Sequence, residues 1–162
     1  MSSDDEDVRD RLGRAIADYQ AAVDDFDREC ARVLGVNETD LRCLEVLMRD
    51  EPDGATPRLL ADRLGLTTGS VTGMLDRLEQ RGYVTRSPHP TDRRRLVVRA
   101  TDAVVARSAE VLAPLLAEGQ RDLLSRYTSQ QLGLVAEFLT ATTEFQRIHV
   151  DRLRARSPYP RA

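Results

Sequence analysis

The stretch from Leu60 to Met74 constrains this chain more than any other. It joins two short amphipathic patterns through Leu64-Gly65-Leu66-Thr67. Two helices that cross closely need a turn residue with no side-chain penalty, a small residue where the backbones meet, and apolar anchors around them. Gly65 meets the first need, Ala61 the second, and Leu60, Leu64, Leu66, Val71 and Met74 the third. Thr56-Pro57 opens the first helix as N-cap and first helical residue, and Thr67 caps the second. The spacing predicts helices over 57–64 and from 68 to just before Gly82. That is the outline of a helix-turn-helix.

The solvent face of the second helix carries Thr67, Thr68, Ser70, Thr72, Gly73 and Arg77. A merely solvated helix more often carries Glu and Lys. Small polar residues let the backbone approach base edges, and the helix N-terminus favours phosphate. Downstream, 83–86 and 96–99 are strand-like and predict a hairpin around a polar, Pro-containing loop over 87–95. The loop holds Asp92-Arg93-Arg94-Arg95. Three adjacent Arg are a solvated run unless an anion receives them, and a hairpin beside a recognition helix lies over the neighbouring minor groove. Asp92 is placed to hold Arg94 through a paired contact. His89 fits either a phosphate contact or simple exposure.

The net charge of −3 conceals an uneven distribution. Residues 56–100 hold nine Arg against four acidic residues, and the rest holds fifteen against twenty-three, a basic island (+5) in an acidic frame (−8). Such a frame turns one face toward double-stranded DNA and repels it elsewhere. All the basic residues are Arg, which nucleotide composition of the genome explains better than selection for a ligand.

Helices flank this centre. Leu12, Ile16, Tyr19, Val23, Phe26, Cys30 and Val33 recur at spacings of four and three and predict one long helix over 8–34, capped by Gly35. A seam that long needs cover from its own domain or from a second subunit. Residues 40–49 form a second helix, started by Asn37 or Thr39, with Leu41, Leu44, Leu47 and Met48 inward, and 51–54 form a turn. A helix opens at Thr101-Asp102 with a kink or break at Pro114 or Gly119, and Thr128 or Ser129 caps a last apolar-striped helix. Residues 1–7 are expected to fray and 152–162 to form a loose tail.

The motifs Leu64-Gly65-Leu66, Met74-Leu75-Asp76-Arg77-Leu78-Glu79, Arg81-Gly82-Tyr83-Val84, Pro90-Thr91-Asp92-Arg93-Arg94 and Leu96-Val97-Val98 resemble those of the MarR family of winged-helix transcriptional regulators. The resemblance covers about residues 10–150. It implies a mainly α fold with a small β-hairpin wing, a winged helix-turn-helix plus a helical dimerisation region. The division is then 1–35 for an N-terminal dimerisation helix, 36–100 for DNA binding, and 101–162 for C-terminal dimerisation helices and tail. It implies a homodimer, usually a repressor, on a pseudo-palindromic operator with half-sites about one helical turn apart. One position departs: Gly73 stands where many relatives carry a longer side chain. Either the helix approaches DNA more closely, or base reading shifts to Thr68, Ser70 and Thr72.

Other members release DNA when small aromatic or anionic effectors enter a cleft, and Phe26, Cys30, Cys43 and Leu47 lie on the two helices that would line it. Some members instead sense oxidants through a thiol, which makes Cys30 and Cys43 either sensors or buried small hydrophobes. A winged helix used solely for protein–protein contact is a third reading. Two His far apart and two Cys without ligand spacing give no metal site, and no phosphate-binding Gly loop or nucleophile elbow is present. No cofactor, no enzymatic activity and no membrane span are expected, and a cytoplasmic location is.

Overall fold

The computed structural model describes residues 3–89, 91, 92 and 95–156, with the backbone alone at Ser3 and Asp4. Helix α1 spans Ser3–Leu34 and ends at Gly35, whose φ is 69°. From Ser3 onward the start expected to fray is helical instead. Asp5, Glu6 and Asp7 lie in its opening turns, where negative charge complements the exposed N–H groups.

Helix α2, Glu38–Glu45, is capped by Asn37, whose Oδ1 accepts from the Asp40 N–H at 2.8 Å. The helix therefore starts two residues before the expected position, with Thr39 inside it. It continues as a single π-helical turn, Val46–Asp50, closed by the Glu51 N–H donating to the Val46 carbonyl at 2.9 Å. Leu41, Leu44 and Leu47 point inward as the periodicity requires, and Met48 is half-buried.

The turn after α2 serves a purpose not evident from its composition. Ala55 pairs with Val98 as an isolated antiparallel bridge, exchanging hydrogen bonds of 2.9 and 2.8 Å. Gly54 makes that approach possible. Its φ is 100°, and a Cβ there would lie 2.6 Å from Val97 Cγ1 and 2.9 Å from the Val98 carbonyl oxygen.

Helices α3, Pro57–Leu64, and α4, Thr68–Gln80, form the helix-turn-helix. Thr56 Oγ1 accepts from the Leu59 N–H and Thr67 Oγ1 from the Ser70 N–H, both at 3.2 Å. Gly65 takes φ 67° between them, a left-handed conformation that costs a side chain and suits glycine. Strands β1, Val84–Pro88, and β2, Leu96–Ala100, pair antiparallel with Val84 opposite Ala100 and Pro88 opposite Leu96. The hairpin thus extends through Ser87 and Pro88, which composition assigned to the loop. Pro88 is tolerated at the end of an edge strand, where no ladder N–H is required.

The core is the space these elements enclose. Leu44, Leu47, Leu60, Met74, Leu75, Leu78, Val71, Val84, Val98 and Val104 are fully buried. Each Leu there contributes about 2 kcal/mol of apolar burial. A second cluster joins Cys30, Ala31 and Leu34 of α1 to Leu41 of α2, with Phe26, Val111 and Leu112 against it. The Tyr83 hydroxyl donates to the Leu34 carbonyl at 2.9 Å and ties the start of the hairpin to the end of α1.

Helix α5, Asp102–Glu118, runs through Pro114, and the expected break falls at Gly119. A π-helical turn, Gly119–Leu123, and a 3-10 turn, Leu124–Arg126, follow. Helix α6, Ser129–Arg154, begins with a capping box: the Thr128 N–H donates to Gln131 Oε1 at 2.8 Å, and the Gln131 N–H to Thr128 Oγ1 at 3.2 Å. The helix therefore takes in the first three residues of the expected tail, 152–154, and 157–162 lie outside the described residues.

Contacts divide the chain into two compact units, residues 1–112 and 113–162. Both carry exposed apolar side chains on long helices: Val8, Leu12, Tyr19 and Val23 on α1, and Leu134, Val135, Phe138, Leu139, Phe145 and Ile148 on α6. Among the described residues, no helix is long and apolar enough to cross a membrane.

Candidate nucleic-acid interface

Helix α4 is amphipathic in the sense its sequence required. Val71, Met74, Leu75 and Leu78 are buried, and Thr67, Thr68, Ser70 and Thr72 are exposed on the opposite side of its N-terminal half. The hydroxyls there are partly committed. Thr67 Oγ1 caps the helix and lies 2.9 Å from Ser70 Oγ, and the Thr72 hydroxyl donates to the Thr68 carbonyl at 3.0 Å. Thr72 thus offers lone pairs to a ligand and no proton. Among the described residues the Thr68 hydroxyl has no such partner.

Gly73 lies on the same side, and the nearest atom to a Cβ built there is Arg77 Nη1 at 3.8 Å. That is an ordinary contact with the end of a flexible side chain, so packing does not require the glycine. Gly73→Ala is expected to stabilise the folded protein by about 1 kcal/mol through the backbone entropy that glycine loses in a helix. Urea unfolding checks this; a lower midpoint in the variant would show that Gly73 is needed structurally.

Arg77 has a partner that sequence reasoning did not anticipate. Its Nη2 donates to Asp40 Oδ1 at 2.6 Å and its Nε to Oδ2 at 3.2 Å. The hydrogen bond to Asp40 holds the guanidinium pKa above its already high ordinary value. One residue earlier, Asp76 accepts from Arg86 Nη2 of β1 at 2.6 Å, and Glu79 lies 3.6 Å from Arg86 Nε. The recognition helix is therefore joined to α2 and to the hairpin at adjacent positions.

In the wing, Arg95 and Asp92 are exposed, with the Arg95 N–H donating to the Asp92 carbonyl at 2.9 Å. Arg93 and Arg94 lie outside the described residues, so the expected Asp92–Arg94 pair does too. His89 Nδ1 lies 3.3 Å from the Thr91 N–H that donates to it and 3.1 Å from Thr91 Oγ1. It organises the loop locally.

The four residues expected to line a cleft are separated. Phe26 and Cys30 border a cavity of about 50 Å³ together with Leu41, Met48, Ser108, Val111 and Leu112. Cys43 and Leu47 are buried in the winged-helix core instead, because α2 turns that face toward α3 and α4. Ser108 Oγ is buried and has no hydrogen-bond partner among the described residues. Asp27 and Glu45 also line the cavity and no cation does, which opposes an anionic ligand. Its volume suits a water or two and falls well below the about 300 Å³ of typical ligand pockets.

Neither thiol is set up for oxidant chemistry, which needs the thiolate. Burial pushes the Cys43 thiol up to about 12, with the Asp40 carboxylate adding to it. Burial, then Asp27, Glu45 and Glu29, raises Cys30. Among the described residues, no group of three or more His, Cys, Asp or Glu is arranged to hold a metal ion.

A helix-turn-helix followed by a two-stranded wing, with a polar exposed recognition helix, defines a winged-helix DNA-binding protein. Comparison with known proteins narrows this further. The pattern of the MarR family matches residues 34–95. An HTH-type transcriptional regulator of Bacillus subtilis, YcgE, is 35% identical over 129 residues, covering 80% of this chain and 82% of its own. The crystal structure of YusO from Bacillus subtilis superposes with a TM-score of 0.62 at 24% identity, over 89% of this chain and 99% of that one. A mutant MepR of S. aureus bound to an oligodeoxyribonucleotide superposes with a TM-score of 0.56 at 20% identity, over 85% and 97% of the two chains. The chain belongs to the MarR family of winged-helix transcriptional regulators.

Proposed function

We propose that the protein is a homodimeric, sequence-specific repressor that binds a pseudo-palindromic duplex and works in the cytoplasm by binding rather than catalysis. The observation that carries this reading is the exposed, small, polar N-terminal half of α4, together with the exposed Arg95 of the wing. Thr67, Thr68, Ser70, Thr72 and Gly73 meet base edges and phosphates in the major groove, and Arg93, Arg94 and Arg95 reach the adjacent minor groove. The oligodeoxyribonucleotide complex of MepR supports the use of this fold on DNA.

The uncovered apolar stripes of α1 and α6 support the dimer. A row of exposed apolar side chains along one helix marks an interface. Residues 1–35 and 101–162 then form the dimer base, and 36–100 the DNA-binding part. Release by a small effector would require the cavity beside Ser108 to enlarge, with the Ser108 hydroxyl, unpaired among the described residues, as its polar anchor and the Asp27 and Glu45 lining favouring an uncharged ligand over an anionic one. A ligand that prefers one spacing of the two recognition helices weakens DNA binding by its differential affinity.

Selection from a random duplex library tests the proposal, with sedimentation analysis of the same sample. The expected result is a dimer that enriches a two-fold-related sequence with half-sites about 10 base pairs apart. Arg95→Ala should weaken that binding. A monomer that enriches nothing would contradict the reading.

A further inference from the structure

Asp40 is one of two buried polar residues among those described, 3% exposed, and the other is Ser108. Its backbone N–H is used by the Asn37 cap, and both carboxylate oxygens are taken by Arg77. Arg77 sits in the last turn of α4, with Nε and Nη2 on Asp40 and its half-exposed side chain turned so that Nη1 would lie 3.8 Å from a Cβ on Gly73. Drawing its guanidinium out to a phosphate would strand a buried carboxylate, a costly arrangement. The two-point contact also has a direction, because a guanidinium fork meets a carboxylate in one plane.

We propose that the Asp40–Arg77 pair sets the angle at which α4 meets DNA, and that Arg77 acts through Asp40 rather than on the nucleic acid. Arg77 is thus a positioning residue, in contrast to the direct contact expected from its place on the helix face. The inference rests on the DNA-binding reading above. Helix α4 is seated in the core by Val71, Met74, Leu75 and Leu78, and its ion pairs both lie in its C-terminal half, to α2 through Arg77 and to β1 through the Arg86–Asp76 contact. With a rise of about 1.5 Å per residue, a tilt of about 10° at Arg77 would move Thr68 by about 2 Å. Hydrogen bonds to base edges do not survive such a shift. Contacts to the phosphate backbone, less demanding in geometry, largely do.

The test uses the full chain, as wild type, Asp40→Asn, and the Asp40→Asn/Arg77→Gln double variant, which leaves no buried charge unpaired. Affinities are measured by fluorescence anisotropy for the duplex that the wild type enriches from a random library and for a random-sequence duplex. Both are taken over a salt series, at a temperature where melting curves show every variant folded. Both variants are expected to lose about tenfold on the enriched duplex, equally for single and double variant, since the two residues act as one unit. Random-duplex affinity and the salt slope should match the wild type.

Asp40→Asn binding the enriched duplex as tightly as the wild type, or more tightly, would overturn the proposal. So would a double variant weakened on both duplexes with a salt slope reduced by about one, the signature of a lost phosphate contact. A wild type that enriches no duplex would overturn the DNA-binding reading itself and this proposal with it.

Discussion

Ser70→Glu is expected to fold at least as well as the wild type and to lose about a hundredfold in affinity for duplex DNA. The two effects have opposite signs for separate reasons. Thr67 is the N-cap of α4, so Ser70 occupies the third helical position, with its N–H donating to Thr67 Oγ1. A Glu there completes the reciprocal box that Thr128 and Gln131 already form on α6, and it places a negative charge at the positive end of the helix. The side chain is exposed, so nothing in the core has to move. On DNA the same carboxylate enters a groove lined by phosphates, and like-charge contact of this kind costs several kcal/mol. Thermal melting and anisotropy on one sample check both halves. A folded variant with wild-type affinity would remove the N-terminal face of α4 from the interface.

Alkaline destabilisation centred on Cys43 is the second large effect. In the folded chain this thiol is pushed up to about 12 from an ordinary value of 9.0. The unfolded chain releases the proton first as pH rises, so the contribution of Cys43 is complete below pH 9 and is lost between there and about 12. A shift of this size is worth on the order of 4 kcal/mol at its limit. Urea unfolding between about pH 8 and about pH 11 should therefore show a steeper loss of stability in the wild type than in Cys43→Ala. Parallel curves for the two proteins would contradict the burial argument. The same burial makes Cys43 inert to iodoacetamide in the folded state, and an oxidant switch at this position would need the helix-turn-helix core to open first.

What the sequence carried plainly is local chemistry. Asn37, Thr56, Thr67 and Thr128 cap the helices that follow them, and Gly35 and Gly65 take the left-handed conformations that end the helices before them. Each of these rests on side-chain hydrogen bonds within three residues or on a single backbone angle, so spacing reveals Thr56, Thr67, Gly35 and Gly65 and narrows the other two caps to Asn37 or Thr39 and Thr128 or Ser129. The features that escaped are long-range. The Ala55–Val98 bridge depends on Gly54 meeting a strand far along the chain, and the composition of 51–54 signals a turn without saying what it approaches. Asp40 looks like any acid in a first helical turn, and Arg77 like any base on an exposed helix face; their union is a property of how α2 crosses α4.

The proposed cleft shows the same limit. Phe26 with Cys30 and Cys43 with Leu47 come from two neighbouring helices, and an apolar pattern does not say which helix face turns toward which neighbour. The α2 face bearing Leu41 and Met48 borders the cavity instead, and Cys43 and Leu47 turn to the core. Ser108 was missed because a lone Ser in an Ala- and Val-rich helix carries no signal in sequence; its burial without a partner is visible only in three dimensions.

On the proposed reading, the α4 face and the wing bind duplex DNA through phosphates as well as bases. The most direct test of that reading is the affinity of the wild-type protein for the library-enriched duplex across a salt series. The expected result is a straight, steep fall of log affinity against log salt, by about 0.9 for each phosphate neutralised, with random duplex bound more weakly throughout. An affinity indifferent to salt, or no preference over random sequence, would contradict it.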